Sequence, residues 1–545
     1  MNRPKAPSKL LTYLPLAIVL SLVLYVRIRL LAVPLERDEG EFAYVGQLLL
    51  KGISPFTHAY TMKLPGVSAV YALFISVFGQ TPAGIHLGLL LVNLACVLLV
   101  YLLARRLFDP LTAALSGASY AVLSLSQAVY GAHAHATHFV MLFALAGFLL
   151  LLRAMDQGRL ATLFASGLCF GLAFTMKQHA ALMIAFALLY LVWRDWSRPQ
   201  ERQFLLRAVP LFLSAIVTPY LLILLGMAKA GALESFWFWT VQYPRAYVLE
   251  QGLAGGWQNF AYSFGPLLQL QFPFWLLAAA GILLVLTGKL RCNDRRFLFG
   301  FLIFSFLAIC PGLYFREHYF IMLLPAIALI AGAGAAGAGA TLLPRFSQQS
   351  SRQACLSYRF VPVLLLCTAV TFCLFQEKEY LFKLTPLEVS RFTYDENPFP
   401  ESLQVARYLK EHTGAEDRIA VLGSEPQIYF YADRLSATGH IYMYGLMENQ
   451  PHAERMQLQM IREIETARPK YVVVVNVAKS WLAGPAPKGP VHAWRERYLS
   501  AGYEIAGITD IINSSTTRYL WEGEAAGYTP VSRAYLTIFK RKGGA

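Results

Sequence analysis

The residue types able to carry group-transfer chemistry fall in a few short stretches of this 545-residue chain. ERDEGE (36–41) holds Glu36, Asp38, Glu39 and Glu41, the densest group of acids among the apolar segments, and MKLPG (62–66) holds Lys63. YGAHAHATHF (130–139) carries His133, His135 and His138. MKQHA (176–180) carries Lys177, and FREHY (315–319) carries Arg316, Glu317, His318 and Tyr319. A carboxylate can take the proton of an attacking hydroxyl. Cations can stabilise charge growing on a departing phosphate, Arg as a planar fork and Lys as a point charge. Acids and cations on one side of a membrane therefore suit a phosphorylated lipid donor.

Each stretch also has a plainer reading. Acids favour a helix N-terminus. A lysine beside a bilayer snorkels to the headgroups. The three histidines cannot all share one face: a helix aligns His135 with His138, a strand His133 with His135. A metal there would need ligands from elsewhere, and polar side chains lining a water-filled cavity are the simpler expectation. The sequence admits a divalent metal without demanding one.

The elements that must position these residues are mostly membrane helices. The chain is 56% hydrophobic and only 14% charged, against about 25% charged in soluble domains. About eleven apolar runs approach the roughly 20 residues a spanning helix needs. They lie near 11–33, 84–104, 110–130, 137–153, 159–176, 178–193, 207–228, 264–288, 296–314, 319–342 and 360–376. The first follows the basic start MNRPKAPSK and is too long for a signal-peptide core, so it reads as a retained helix.

The net charge of +15 does not imply nucleic acid, because the basic residues sit in short loops rather than on a basic stripe. Arg105, Arg106, Arg153, Arg159, Arg198, Lys289, Arg291 and Arg345 belong to the richer set of loops, which the positive-inside rule makes cytoplasmic. The N-terminus is then cytoplasmic, and an odd number of spans puts the C-terminal domain outside.

Loop 34–83 reads as two short interfacial helices. Loop 229–263 is aromatic, with Phe236, Trp237, Trp239 and Tyr243 as expected interface anchors. The run AGAGAAGAGA (331–340) predicts close helix packing. Residues 377–545 have soluble composition and no cysteine, so neither disulfides nor a Cys-type zinc site is expected there. Helical patterns at 400–414 and 453–467 alternate with strand patterns at 418–423, 470–475, 503–511 and 533–540, which predicts an α/β domain. No G-x-G-x-x-G follows a strand, so no nucleotide is implied. The expected organisation is a transmembrane domain, 1–376, and a soluble extracytoplasmic domain, 377–545.

The chain resembles the GT-C class of integral-membrane glycosyltransferases, in particular family 39 and its bacterial relatives, the protein O-mannosyltransferases and lipid A aminoarabinose transferases. The matching features are the Asp38-Glu39 pair after the first span, the aromatic helix EFAYVGQLLLKG, and Lys63-Leu64-Pro65-Gly66 before a second short helix. GLAFTMKQHA, REHYFIMLLPAIALIAG and an external α/β tail complete the likeness. The resemblance implies a polyprenyl-phosphate sugar donor, transfer on the outer face and inversion. It implies Asp38 as base or acceptor-orienting group, Glu39 in support, and Lys63 on the donor phosphate, with Arg316 or His318 as further phosphate contacts; Lys177, at an outer turn on the same side, is a candidate for that phosphate from its position. Family members commonly carry a second acid in the loop before the fourth span. Here that loop has His135, Thr137 and His138, so either a histidine substitutes, or the second carboxylate comes from elsewhere, or this member differs in acceptor handling. The acceptor is a lipid, a polysaccharide or a protein. A lipid-linked-sugar flippase and a non-catalytic membrane receptor are the alternative readings.

Overall fold

The computed structural model describes residues 9–196, 202–248, 252–342, 352–482 and 489–543. The basic start before residue 9, Arg198 and Arg345 lie outside them. Two compact units emerge, each discontinuous in sequence. The first comprises Met1–Arg29, Leu87–Ile223 and Val248–Lys383; the second comprises Leu30–His86, Leu224–Tyr247 and Leu384–Ala545. The long loop after the first span thus belongs with the C-terminal segment, where a division at 376/377 was expected.

The first unit is helical. Its helices include Lys9–Arg29, Pro110–Leu123, Ala136–Gln157, Leu160–Met176, Ala181–Trp196, Arg295–Ile309, Leu324–Leu342 and Arg352–Gln376. Helices Pro82–Leu107 and Arg202–Lys229 lie mostly in it. Among the described residues, four helices are long and apolar enough to cross a bilayer: those at Thr12–Arg29, Pro82–Leu107, Ala136–Gln157 and Phe204–Lys229.

Two expected spans change shape. The run 264–288 is not one helix: Leu253–Leu270 and Phe272–Leu286 meet at 93°. Pro273 lies in the first turn of the second helix, where its missing N–H costs nothing, and cannot continue the first. The bent pair counts as a fifth span. The run 296–314 stops at Ile309, followed by Pro311 and by Gly312 at φ 75°.

Packing in this unit uses aromatics and small residues. Phe148 meets Phe170, Phe186, Phe297 and Phe301 at ring-centroid distances of 4.9–5.7 Å. A Cβ on Gly334 would stand 1.9 Å from the Leu277 carbonyl oxygen, so the small-residue run lets two backbones touch.

In the second unit, helices Arg37–Leu50 and Pro65–Phe78 pack together. A Cβ on Gly46 would meet the Ser68 carbonyl at 2.9 Å, which is why only glycine fits that crossing. The sheet has six strands: β1 Arg418–Leu422, β2 Leu435–Ser436, β3 Tyr471–Asn476, β4 Tyr503–Ile511, β5 Thr517–Trp521 and β6 Tyr535–Arg541. Their order is β2-β1-β3-β6-β4-β5, with β1 parallel to both neighbours and the remaining pairs antiparallel. Helix Ala453–Ala467 buries Met456, Met460, Ile461 and Ile464, one face at helical spacing.

Candidate functional site

In the second unit the acids of ERDEGE divide into two pairs with different work. Glu36 is the N-cap of helix Arg37–Leu50 and accepts from the Glu39 backbone N–H at 2.9 Å; Glu39 Oε2 accepts from the Glu36 N–H at 3.2 Å. This is a reciprocal capping box made by two carboxylates. Burial pushes the Glu36 carboxyl well above its ordinary value, and the nearby Asp38 and Glu39 charges push the same way. Glu39 is fully buried, and its Oε1 lies 2.9 Å from His86 Nε2. His86 Nδ1 faces the Leu31 carbonyl at 2.9 Å. A carbonyl only accepts, so Nδ1 carries a proton, and Glu39 and Nε2 share another between them. Glu39 therefore anchors the helix start.

Asp38 and Glu41, three residues apart, share one helix face. Between them stands Lys63, its Nζ 2.7 Å from Asp38 Oδ1 and 2.6 Å from Glu41 Oε2. Its ammonium also lies 4.6 Å from the Phe42 ring centroid and 5.5 Å from that of Tyr442. Thr61 donates its hydroxyl to Glu41 and accepts from the Lys63 backbone N–H at 3.1 Å. Burial works against the Lys63 ammonium, but the two carboxylates outweigh it and hold its pKa above the ordinary lysine value. Burial likewise raises the Glu41 carboxyl, against the pull of Lys63. Side-chain exposure separates the acids: 26% for Asp38 and 5% for Glu41. Asp38 is the more exposed of the two acids.

The helix bearing these acids is fixed by Arg37. Its guanidinium donates to the Ser424 carbonyl, the Tyr444 hydroxyl, Asn397 Oδ1 and Glu425 Oε1 at 2.7–3.1 Å. Glu425 is fully buried just beyond β1. Burial raises its carboxyl even though Arg37 draws it down.

In the first unit the histidine segment is held by charged anchors. Arg27 donates to the Gly131 carbonyl at 2.9 Å and the Ser124 carbonyl at 3.0 Å. Glu377 accepts from the Ser126 hydroxyl and the Gln127 N–H, both at 2.7 Å. His135 caps helix Ala136–Gln157, and His138 sits buried in its first turn. The His135 ring stacks on that of His318, with centroids 4.1 Å apart and planes 12° apart. His133 lies two residues earlier, its ring 6.1 Å from that of His135. Lys177, at the C-cap of helix Leu160–Met176, lies over the Tyr319 ring at 4.0 Å. The rings of Tyr319 and His318 are 4.9 Å apart. Arg316 caps the 3₁₀ turn Glu317–Met322 and lies over the Tyr314 ring at 5.5 Å.

The sequence candidates thus form two groups, Asp38, Glu39 and Lys63 in one unit, and His135, His138, Lys177, Arg316 and His318 in the other. Sequence reasoning assigned nothing specific to Glu41 and missed Arg37, His86, Tyr442 and Glu425. The Asp38–Glu41 spacing was a usable signal. Glu425 and Tyr442 had none, since they lie nearly 400 positions away in sequence.

Residues 59–223 match the family model for dolichyl-phosphate-mannose-protein mannosyltransferases. The fold is similar to that of ArnT from Cupriavidus metallidurans bound to undecaprenyl phosphate, with a TM-score of 0.52 and 13% identity over 96% of this chain and 97% of that one. The apo state of the same ArnT gives a TM-score of 0.52 and 14% identity over the same shares. No curated protein sequence matches the chain significantly. The fold is the one expected of the GT-C class, and the family-model match over residues 59–223 supports a glycosyltransferase.

Proposed function

We propose that the protein moves a sugar from a polyprenyl-phosphate-linked donor to a hydroxyl of a lipid, polysaccharide or protein acceptor. The observation that carries this reading is the partly exposed Asp38 carboxylate paired to Lys63, in a fold of this class. Undecaprenyl phosphate in ArnT supports a donor of the same chemical class. The excess of arginine and lysine in one set of loops supports transfer on the outer face, with the N-terminus cytoplasmic and the C-terminal segment extracytoplasmic.

Asp38 orients the acceptor hydroxyl and takes its proton as the oxygen attacks the anomeric carbon. The new C–O bond forms as the bond to the phosphate oxygen breaks, and that oxygen leaves with the electron pair. Attack opposite the leaving group inverts the centre. Lys177, Arg316 and His318 supply positive charge suited to the phosphate. Lys63 does so as well, once it is drawn from its carboxylates.

The test is deletion of the gene and mass spectrometry of glycolipids, envelope polysaccharides and glycoproteins. Complementation uses wild type, Asp38→Asn and the exposed-site control Glu496→Gln. Asp156 is unsuitable as a control, because it pairs with both Arg106 and Arg194. One glycoform should vanish, return with wild type and control, and fall by about 10²-fold or more with Asp38→Asn. Full restoration by a stably expressed Asp38→Asn would sink the reading and leave the flippase or receptor alternatives.

A further inference from the structure

The sequence left the source of a second carboxylate open, and the three-dimensional arrangement of the second unit supplies one. Asp38 and Glu41 are like charges on one helix face, which repel unless a cation separates them. Lys63 separates them, with nearly equal distances to the two acids, 2.7 and 2.6 Å. Only Asp38 is substantially open to solvent. Glu41 is buried, and both its oxygens are engaged, one by Lys63 and the other by Thr61. Thr61 closes a ring by accepting from the Lys63 N–H.

We propose that Glu41 is the positioning carboxylate of this site: it holds the Lys63 ammonium against Asp38 and must yield it when a phosphate arrives. The assignment rests on the glycosyltransferase reading for its meaning, though not for its geometry. Two carboxylates around one ammonium repel a phosphate. A donor phosphate therefore gains Lys63 only by displacing Glu41, whose buried carboxyl can take up a proton as it loses its cation. Asp38 is the less buried partner and stays with the acceptor hydroxyl. Glu41 acts through Lys63 and touches no reacting atom.

The test is competitive acetylation of the purified full-length protein with acetic anhydride at pH 9, with labelling of the Lys63 peptide quantified by mass spectrometry relative to that of exposed lysines. Removing the Glu41 charge with Glu41→Gln should raise relative Lys63 labelling about fivefold or more, because each pH unit taken off the lysine pKa frees about ten times more amine. Thr61→Val should raise it less, and Glu41→Asp should restore the wild-type level in part. In the complementation assay Glu41→Gln should lower the glycoform about tenfold, again with partial rescue by Glu41→Asp. Relative Lys63 labelling within about twofold of wild type in a folded Glu41→Gln protein overturns the proposal. So does a full glycoform yield from Glu41→Gln. If Glu41→Gln does not fold, Thr61→Val carries the same test, and unchanged labelling there overturns it. Full activity of Asp38→Asn, with Lys63 labelling raised in Glu41→Gln, would instead overturn the glycosyltransferase reading alone.

Discussion

The two units surround their candidate cations differently. In the second, Lys63 and Arg37 each meet carboxylates and aromatic rings together: Asp38, Glu41, Phe42 and Tyr442 for Lys63, and Glu425, Phe399 and Tyr444 for Arg37. In the first, Lys177 lies over the Tyr319 ring and Arg316 over the Tyr314 ring, while Asp156 pairs with Arg106 and Arg194 elsewhere in that unit. A carboxylate offsets a cation's charge, whereas a ring face orients it.

The comparison can be broken most forcefully at Arg37. Arg37→Ala leaves Glu425 buried without its cation, and should cost about 3–5 kcal/mol of stability. Thermal unfolding of the purified protein measures this; an unchanged midpoint would mean that Arg37 is not what fixes the acid-bearing helix.

Next comes Lys63→Met, which leaves Asp38 and Glu41 facing each other. Lys63 is partly exposed, so solvent screening lowers the cost to about 2–3 kcal/mol. Lys177→Met sharpens the contrast from the other side. It should leave stability within about 0.5 kcal/mol while lowering glycoform yield about 10- to 100-fold. Loss of folding in Lys177→Met would make that lysine structural, and unchanged stability in Lys63→Met would mean that Lys63 does not hold the two acids together.

The smallest effect is a pH dependence confined to the second unit. Burial pulls the His440 imidazole down from 6.5 to about 4, although Glu463 draws it upward. A depressed folded pKa means that the unfolded chain binds more protons. Its contribution to stability is complete above pH 6.5 and is lost as the pH falls towards 4. At pH 5.5 the loss from this group is about 1 kcal/mol. His440→Phe should flatten that part of the acid limb in a thermal-unfolding series from pH 7 to 5; an unaltered limb would show that other groups govern it.

Much of the architecture was legible because it follows from local rules. Each expected span contains helix, since apolar runs near 20 residues have few other folds open to them in lipid, though several of these helices are shorter than the run. Where proline interrupts, at 264–288 and 296–314, the run was seen but its bend or early end was not. The helix and strand patterns of the C-terminal segment appear where their periodicity placed them. Strands β2 and β5 escaped: β2 has two residues, and β5 is half-exposed and carries no alternation.

The sequence by itself determined the class of protein: a polytopic helical chain with an α/β segment, acids after the first span, a lysine some 25 positions on, and further cations in later loops. These depend on composition, run length and spacing, which a linear chain displays. Tertiary structure alone decided which acids do what. Glu36 and Glu39 cap a helix, Asp38 is open, and Glu41 is buried against Lys63. It also decided that loop 34–83 belongs with the C-terminal sheet, through Arg37 and Glu425. A carboxylate's role is set by its burial and by the charges within a few ångströms of it, and those neighbours come from positions that sequence distance does not reveal.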